Sequence, residues 1–231
     1  MKKQTVDYSL LFNLCILCQL KLDTPSKSNI CSSCLQDLPW LEHCCKVCAL
    51  PLPSDQDNLI CGQCQKKQPA FKQAQALFHY QFPINQLISG IKFNRNTQFI
   101  SHIARLMTDH LTTQQPVDCL MPIPMHRVSF IKRGYNQATL LCDRISQYSG
   151  IPSDRNSLIK IKSTPPQHSL SRKERLKNQK GAFKCKPITH KRILLIDDVM
   201  TTGATFEAAS LALLNAGAEQ VYGLALARTD R

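Results

Sequence analysis

Four Cys-x-x-Cys pairs stand out in the first 64 residues. Their members are Cys15 and Cys18, Cys31 and Cys34, Cys45 and Cys48, and Cys61 and Cys64. Each cysteine of the last two pairs follows its counterpart in the first two by 30 residues. Several leucine and isoleucine positions repeat with the same offset, which indicates that a small unit has been duplicated.

Two such pairs can place four thiolates around one zinc ion in a tetrahedron. Four thiolates leave no open coordination position, so the pattern predicts two structural zinc ions, and the short loops between the pairs need the metal to fold. Pairing within each repeat is the simplest arrangement, while interleaved pairing and substitution by Cys44 remain open alternatives. Cys119, Cys142 and Cys185 lie in apolar or isolated contexts and are expected to be core or surface thiols.

A second group of candidate residues follows the apolar stretch 193–196. It consists of two acidic residues and then a loop rich in hydroxyl side chains. The predicted phosphate-binding residues are Asp197, Asp198, Val199, Met200, Thr201, Thr202, Gly203, Ala204 and Thr205. Backbone N–H groups at a helix start can cradle a phosphate, and glycine lets the backbone approach it closely. The two carboxylates are expected to meet ribose hydroxyls. The alternative is a threonine helix cap with two incidental acids, but adjacent acids at the end of an apolar strand are costly without a role.

Strands and helices must position these residues, and the spacing of apolar residues after residue 68 predicts them. The expected strands lie at 76–82, 117–121, 158–161, 192–196 and 221–227, and the expected helices at 100–111, 138–148 and 206–215. Asn136 is the predicted N-cap of the second helix, and Gly150 follows its end. The alternation predicts an α/β fold with a parallel sheet flanked by helices, preceded by the small Cys-rich module. We therefore expect a zinc-binding module at 1–68 and a second domain at 69–231.

Composition limits the class of protein further. The 231 residues are 43% hydrophobic and 19% charged, which excludes wholesale disorder. No apolar run approaches the ~18 residues of a membrane span, and the first residues lack a secretory signal, so a cytoplasmic location is expected. The net charge of +13 arises in residues 126–192, where 16 basic residues face three acidic ones. Such a surface attracts phosphate groups, the alternative being a solvated basic surface without a ligand.

Residues 193–205 resemble the phosphoribosyl-pyrophosphate (PRPP) motif of type I phosphoribosyltransferases. The resemblance implies a parallel sheet flanked by helices, and Mg²⁺ that accompanies the pyrophosphate. Thr201 occupies the position where purine-salvage members carry a carboxylate, which places the loop closer to the orotate type.

Further segments are similar to the ComF family of competence proteins (ComFC and GntX relatives). They are Pro-Ile-Pro-Met-His at 122–126, Arg-Gly-Tyr-Asn-Gln-Ala at 133–138, the basic stretch 167–178 and Gly-Ala-Phe at 181–183. With the Cys-rich module, the resemblance covers nearly the entire chain. It implies a pyrophosphate grip at Arg133 and Gly134, and a flexible basic loop at 163–180. The candidate basic residues of that loop, for pyrophosphate or DNA, are Arg172, Lys173, Arg175 and Lys177.

Three functions compete at this point. The resemblance favours a competence protein that handles incoming single-stranded DNA in the cytoplasm and keeps a PRPP pocket, with other competence or recombination proteins as further candidate partners. The alternative is an active Mg-dependent phosphoribosyltransferase that acts on an unidentified base. A purely structural zinc adaptor would leave the phosphate-binding motif unexplained. Candidate base-stacking aromatics are Phe130, Tyr135, Tyr148 and Phe183.

Overall fold

The computed structural model describes residues 13–22, 26, 28–53, 59–94, 96–111, 117–162 and 181–230. The described helices are α1 (Ser32–Gln36), α2 (Gly62–Lys66), α3 (Ile84–Asn94), α4 (Phe99–Asp109), α5 (Arg127–Arg133), α6 (Gln137–Ser149) and α7 (Ala204–Asn215). The described strands are β1 (Gln73–His79), β2 (Cys119–Pro122), β3 (Leu158–Lys160), β4 (Phe183–Cys185), β5 (Arg192–Met200) and β6 (Gln220–Arg228). None of these helices is long and apolar enough to cross a membrane.

Four strands form one parallel sheet in the order β1-β6-β5-β2. Alternate residues of β5 enter two different cores, because successive side chains of a strand point to opposite faces. Leu194 and Ile196 pack with α3, α4 and α6, whereas Ile193 and Leu195 pack with α7. A parallel sheet covered by helices on both faces explains why β5 begins as a continuous apolar run. The predicted fold class is confirmed.

Helix α7 lies unusually close to the sheet at Gly223 of β6. A Cβ atom at this position would lie 2.7 Å from two ring carbons of Phe206 and 3.2 Å from the Cβ of Ala74. Only glycine leaves room for this approach, which brings the first turn of α7 onto β6 and its neighbour β1.

Several predicted elements are confirmed. Helices α4, α6 and α7 lie where the apolar spacing predicted them. Asn136 caps α6, because its Oδ1 accepts a hydrogen bond from the backbone N–H of Ala138 at 3.2 Å. Gly150 follows the helix in the left-handed conformation at φ 74°.

The bounds of two predicted strands were wrong, and a third predicted strand is present as β3 but belongs to another sheet. Strand β5 does not end at residue 196 but continues through Met200, because its backbone pairs with β6 as far as Arg228. The first strand begins at Gln73 and ends at His79, earlier than expected, and pairs with β6 over that length. The predicted strand at 158–161 is outside the parallel sheet: β3 pairs antiparallel with β4, which the sequence pattern did not indicate.

The Cys-rich module covers the outer edge of β1. The N–H of Leu41 donates to the carbonyl of Leu77 at 2.9 Å, and the N–H of His79 donates to the carbonyl of Pro39 at 2.8 Å. Between them, the Trp40 ring packs on Phe78 with 4.5 Å between ring centroids. The module and the sheet therefore share a core, and the domain boundary at 68/69 stays a prediction.

Candidate functional site

The eight paired cysteines form two groups, each drawn from one repeat. The groups are Cys15, Cys18, Cys31 and Cys34, and Cys45, Cys48, Cys61 and Cys64, and within each group all sulfur atoms lie within 4.8 Å of one another. A tetrahedral zinc ion with Zn–S bonds of about 2.3 Å requires sulfur–sulfur distances of about 3.8 Å. The closest pairs fit: Cys18 and Cys31 are 3.8 Å apart, and Cys48 and Cys61 are 3.7 Å apart.

Pairing within each repeat is therefore confirmed, and neither group includes Cys44. Cys119 and Cys142 are buried in the core, as expected, and Cys185 is half-buried in β4.

The two sites are built alike, which the duplication explains. In the first turn, the N–H of Gln19 donates to the carbonyl of Cys15, and in the second the N–H of Ala49 donates to that of Cys45, both at 2.9 Å. Gln19 and Ala49 both adopt positive φ, at 61° and 52°. These tight turns bring both sulfurs of a pair to one side. A hydrogen bond from the Cys48 thiol lowers the pKa of the Cys45 thiol to about 4, against the desolvation that raises it. Cys45 is thus favoured as a thiolate, the form that binds zinc, whereas the hydrogen bond to Cys45 and desolvation raise the pKa of the Cys48 thiol.

The predicted phosphate-binding segment joins β5 to α7. Residues 201–203, called here the 201–203 loop, form the turn between them, and Gly203 lies before α7 with φ 80°. The Thr202 hydroxyl accepts a hydrogen bond from the N–H of Ala204, the first residue of α7, at 3.3 Å. The loop lies at the carboxyl end of β5, the edge where parallel sheets bind ligands.

The two adjacent acids have different environments. Asp198 is buried, and its Oδ2 lies 2.9 Å from the Lys92 ammonium and accepts a hydrogen bond from the Gln137 amide at 3.0 Å. Asp197 is half-buried, and its Oδ1 accepts a hydrogen bond from the N–H of Asp198 at 2.9 Å. Asp198 is thus held by the protein itself, whereas Asp197 keeps part of its surface open.

Electrostatics separate the two carboxyls further. Desolvation raises the pKa of Asp198, but the ammonium of Lys92 more than offsets it, so the pKa is lowered. Desolvation and the charge of Asp198 together raise the pKa of Asp197. One carboxyl is therefore a fixed anion, and its neighbour can accept or release a proton as its surroundings change.

Arg133 joins this network through Gln137, because its guanidinium donates to Oε1 of Gln137 at 2.8 Å. Gly134 ends α5 in the left-handed conformation at φ 87° and turns the chain toward α6. The structure thus links Arg133 to Asp198 through Gln137, while the pyrophosphate grip at Arg133 and Gly134 stays a prediction. It adds Lys92 and Gln137, which sequence reasoning missed. The sequence feature that could have indicated a role for Lys92 is that it is a single lysine next to Ile88 and Ile91, on an otherwise apolar face of α3.

The remaining predicted basic residues, Arg172, Lys173, Arg175 and Lys177, lie outside the described residues. Among the candidate stacking aromatics, Phe183 was a wrong choice, because it is only 6% exposed and packs in the core. Tyr135 donates its hydroxyl hydrogen to the carbonyl of Ile91, and the Tyr148 ring lies 5.4 Å from the guanidinium of Arg105. Phe130 remains exposed.

Comparison with known proteins identifies a family match for the Cys-rich module. Residues 9–65 match the family described as "Double zinc ribbon domain". Two solved adenine phosphoribosyltransferase structures align with part of this chain at low similarity. The one from Thermoanaerobacter pseudethanolicus is 10% identical over 58% of this chain and 83% of that chain, with a TM-score of 0.37. The one from Trypanosoma brucei is 15% identical over 59% and 66%, with a TM-score of 0.34.

The fold and the two four-cysteine groups define a double zinc ribbon protein with an α/β domain. Among its relatives, competence protein F of Haemophilus influenzae is 32% identical over 92% of this chain and 96% of its own length. The DNA utilization protein YhgH of Escherichia coli K12 is 30% identical over 71% and 75%, and competence protein ComFC of Streptococcus pneumoniae is 27% identical over 67% of both chains. The chain belongs to the ComF family.

Zinc content tests the two four-cysteine sites. We expect protein purified without chelator to contain two zinc ions, and Cys45→Ser to lose one and to unfold more easily, because metal binding supplies folding free energy. The neighbouring Cys44→Ser is the matched control and should keep both. Metal analysis and thermal unfolding of the three proteins measure this. Equal zinc loss in both variants would contradict the assignment of Cys45 over Cys44.

The ion pair at Asp198 makes a prediction about pH. Lys92→Met should reduce the free energy of unfolding by about 3 kcal/mol at pH 7, because a buried carboxylate loses its partner. The wild-type pKa of Asp198 is lowered, so the pair stabilises the fold above the usual value of 3.8 and its contribution is lost as the pH falls through the lowered pKa. The difference between wild type and variant should therefore stay constant from pH 7 down to about 4 and shrink as the pH falls below 3.8.

Urea unfolding at several pH values measures this difference. Lys191→Met is the control, because it breaks an exposed pair with Glu219 (3.3 Å) and should cost no more than ~1 kcal/mol. If Lys92→Met loses no more unfolding free energy than the control, or if its loss does not depend on pH, the buried pair does not stabilise the protein.

Proposed function

We propose that this protein handles incoming single-stranded DNA in the cytoplasm during natural transformation, and that its α/β domain carries a PRPP-binding pocket. The relatives named for competence and DNA utilization support the first part. The observation that carries the second part is the position of the 201–203 loop beside the network of Arg133, Gln137, Asp198 and Lys92.

The pocket's chemistry follows from its parts. The N-terminus of the twelve-residue α7 offers backbone N–H groups to a phosphate, and Thr201 and Thr202 add hydroxyls. Asp197 is the carboxyl with open surface, so it is the one that would meet the ribose hydroxyls. Arg133 supplies a planar guanidinium that suits pyrophosphate.

Mg²⁺ would accompany the pyrophosphate in this pocket. Carboxylate oxygens are suitable ligands for this hard cation, but Lys92 already neutralises Asp198 at 2.9 Å. Asp197 is therefore the side chain that fits the ion, with the remaining ligands coming from the phosphates and water. When bound, Mg²⁺ would offset the negative charge of the pyrophosphate.

The DNA-handling part draws on charge and exposed aromatic surface. Helix α5 carries Arg127 and Lys132 in the basic stretch, and its Phe130 is 47% exposed. Phe93 is 69% exposed and lies 5.9 Å from the guanidinium of Arg133, a position that the sequence did not reveal. Basic side chains beside exposed rings are the arrangement by which proteins bind single strands without sequence preference.

An active Mg-dependent phosphoribosyltransferase is the second candidate, because the same loop and acids would bind the donor for that reaction. Incubation with Mg-PRPP and each nucleobase in turn separates the two, since only turnover releases pyrophosphate.

A thermal-shift measurement tests the pocket. Mg-PRPP should stabilise the wild-type protein, by ~2.7 kcal/mol at a concentration 100 times the dissociation constant. The double variant Asp197→Asn with Thr202→Val should lose this shift. Asp198 is left unchanged because it holds Lys92, and Glu219→Gln serves as a control far from the loop. Equal shifts in all three proteins would place PRPP binding elsewhere.

Salt dependence tests DNA binding. Affinity for single-stranded DNA should fall with salt, with a log–log slope of about 0.7 per phosphate contacted. Replacing Arg172, Lys173, Arg175 and Lys177 with Gln should flatten the slope and weaken binding to all sequences. The charge-matched control replaces Lys2, Lys3, Lys21 and Lys46 with Gln and should change the slope less. If the two quadruple variants behave alike, the 163–180 segment is not the DNA contact. Loss of phosphoribosyl transfer with intact DNA binding would favour the enzyme.

A further inference from the structure

A cavity of ≈ 610 Å³ lies between the second zinc ribbon and the 201–203 loop. This volume is within the ~300–1,000 Å³ of small-molecule sites. The ribbon contributes Leu50, Lys66 and Lys67 to its lining, and the loop contributes Thr201 and Thr202. The zinc module is thus one wall of a pocket whose other wall is the candidate phosphate loop.

The cavity is fixed in shape by Arg228, the last residue of β6. Its side chain is only 3% exposed, and it donates to the carbonyl of Cys48 in the ribbon at 3.2 Å and to that of Met200 at 3.0 Å. One guanidinium therefore ties the zinc knuckle to the end of β5. The ribbon cannot move relative to the loop without breaking these bonds.

The charge of the lining suits an anion. Glu207 and Asp230 also border the cavity, but the N–H of Ala70 donates to Glu207 at 2.6 Å and His79 lies 3.2 Å from Asp230. Lys66 and Lys67 are exposed, and within the described part of the chain neither forms an ion pair. Half-buried Pro69, with the edges of the buried Leu50 and Phe71 behind it, gives the same cavity an apolar side against which a sugar or a base can pack.

The two copies of the ribbon differ at these lysines. The positions 30 residues earlier, in the first copy, are Gln36 and Asp37. The first copy packs into the core beside Phe78, and none of its described residues borders the cavity. Only the copy that faces the loop carries the two positive charges, although both copies keep all four zinc ligands. Metal binding alone does not require these lysines.

The position of the cavity along the loop indicates the kind of phosphate ester. The lining includes 201–204 but, among the described residues, neither Asp197 nor Asp198. Under the proposed function, on which this step rests, Asp197 meets the ribose and the loop holds its 5′-phosphate. The cavity then borders the phosphate and not the ribose. PRPP ends at that phosphate, whereas a phosphodiester continues beyond it.

We propose that this cavity binds the nucleotide that is linked to the loop-bound 5′-phosphate, so that the second zinc ribbon recognises a phosphodiester. The ligand is a short single strand of at least two nucleotides. The loop holds the bridging phosphate, the lysines neutralise the next phosphate, and the apolar wall contacts the preceding sugar or base. PRPP occupies the loop alone.

The test uses the full-length zinc-loaded protein and three probes: Mg-PRPP, thymidine 5′-monophosphate and the 5′-phosphorylated thymidine dinucleotide. Calorimetric titration should show that the dinucleotide binds roughly tenfold more tightly than the monophosphate, since it adds one phosphate contact and apolar contacts. Lys66→Gln with Lys67→Gln should remove most of that gain and leave Mg-PRPP affinity within about twofold. Lys21→Gln with Lys46→Gln removes the same charge from exposed ribbon positions outside the cavity and should leave the gain intact.

Three results would overturn the inference. They are equal affinity of the wild type for monophosphate and dinucleotide, equal losses in the two double variants, and a parallel loss of Mg-PRPP binding in the Lys66/Lys67 variant. Failure of the wild type to bind Mg-PRPP would count instead against the proposed pocket, and the dinucleotide comparison would still decide what the cavity binds.

Discussion

The buried guanidinium of Arg228, at the end of β6, joins the second zinc ribbon to the end of β5. Burying a charge is costly unless hydrogen-bond partners replace water, and the carbonyls of Cys48 and Met200 supply them. One carbonyl belongs to a zinc knuckle and the other to the end of β5, where the 201–203 loop begins. The arrangement exists only because β5 and β6 stay paired up to Met200 and Arg228. The extra length of β5 thus positions the loop against the ribbon.

The acid pair shows how adjacent residues of one type acquire different roles. Side chains of neighbouring strand residues point to opposite faces, so Asp198 meets α3 and α6 while Asp197 does not. Lys92 and Gln137 therefore reach only Asp198 and fix it as an anion. With desolvation, the negative charge of Asp198 raises the pKa of Asp197. A carboxyl that can change its protonation state therefore lies next to one that stays ionised.

Local spacing explains what the sequence could predict. The ligand cysteines and the strand–loop–helix motif are short patterns whose physical requirements lie within a few residues, so they were found before the structure. Grouping of the cysteines by repeat was left open, because the sequence does not show which pairs approach each other. Lys92, Gln137 and Arg228 were missed because each acts on residues more than 25 positions away. The antiparallel β3–β4 pair was missed for the same reason, since its strands are separated by the 163–180 segment.

The contacts between the Cys-rich module and β1 have a consequence for solubility. A sheet has two outer strands, and an uncovered outer strand is a template for pairing with another chain. The β2 edge is covered from within the α/β domain, where the N–H of Leu120 donates to the carbonyl of Pro152 and the N–H of Asp154 donates to that of Leu120. The β1 edge is covered through Pro39, Leu41 and Val47, which belong to a module that metal holds together. Loss of zinc would therefore expose the backbone of β1 to pairing with another chain. The metal ions thus protect the sheet of the α/β domain from self-association, although their ligands all lie in the Cys-rich module.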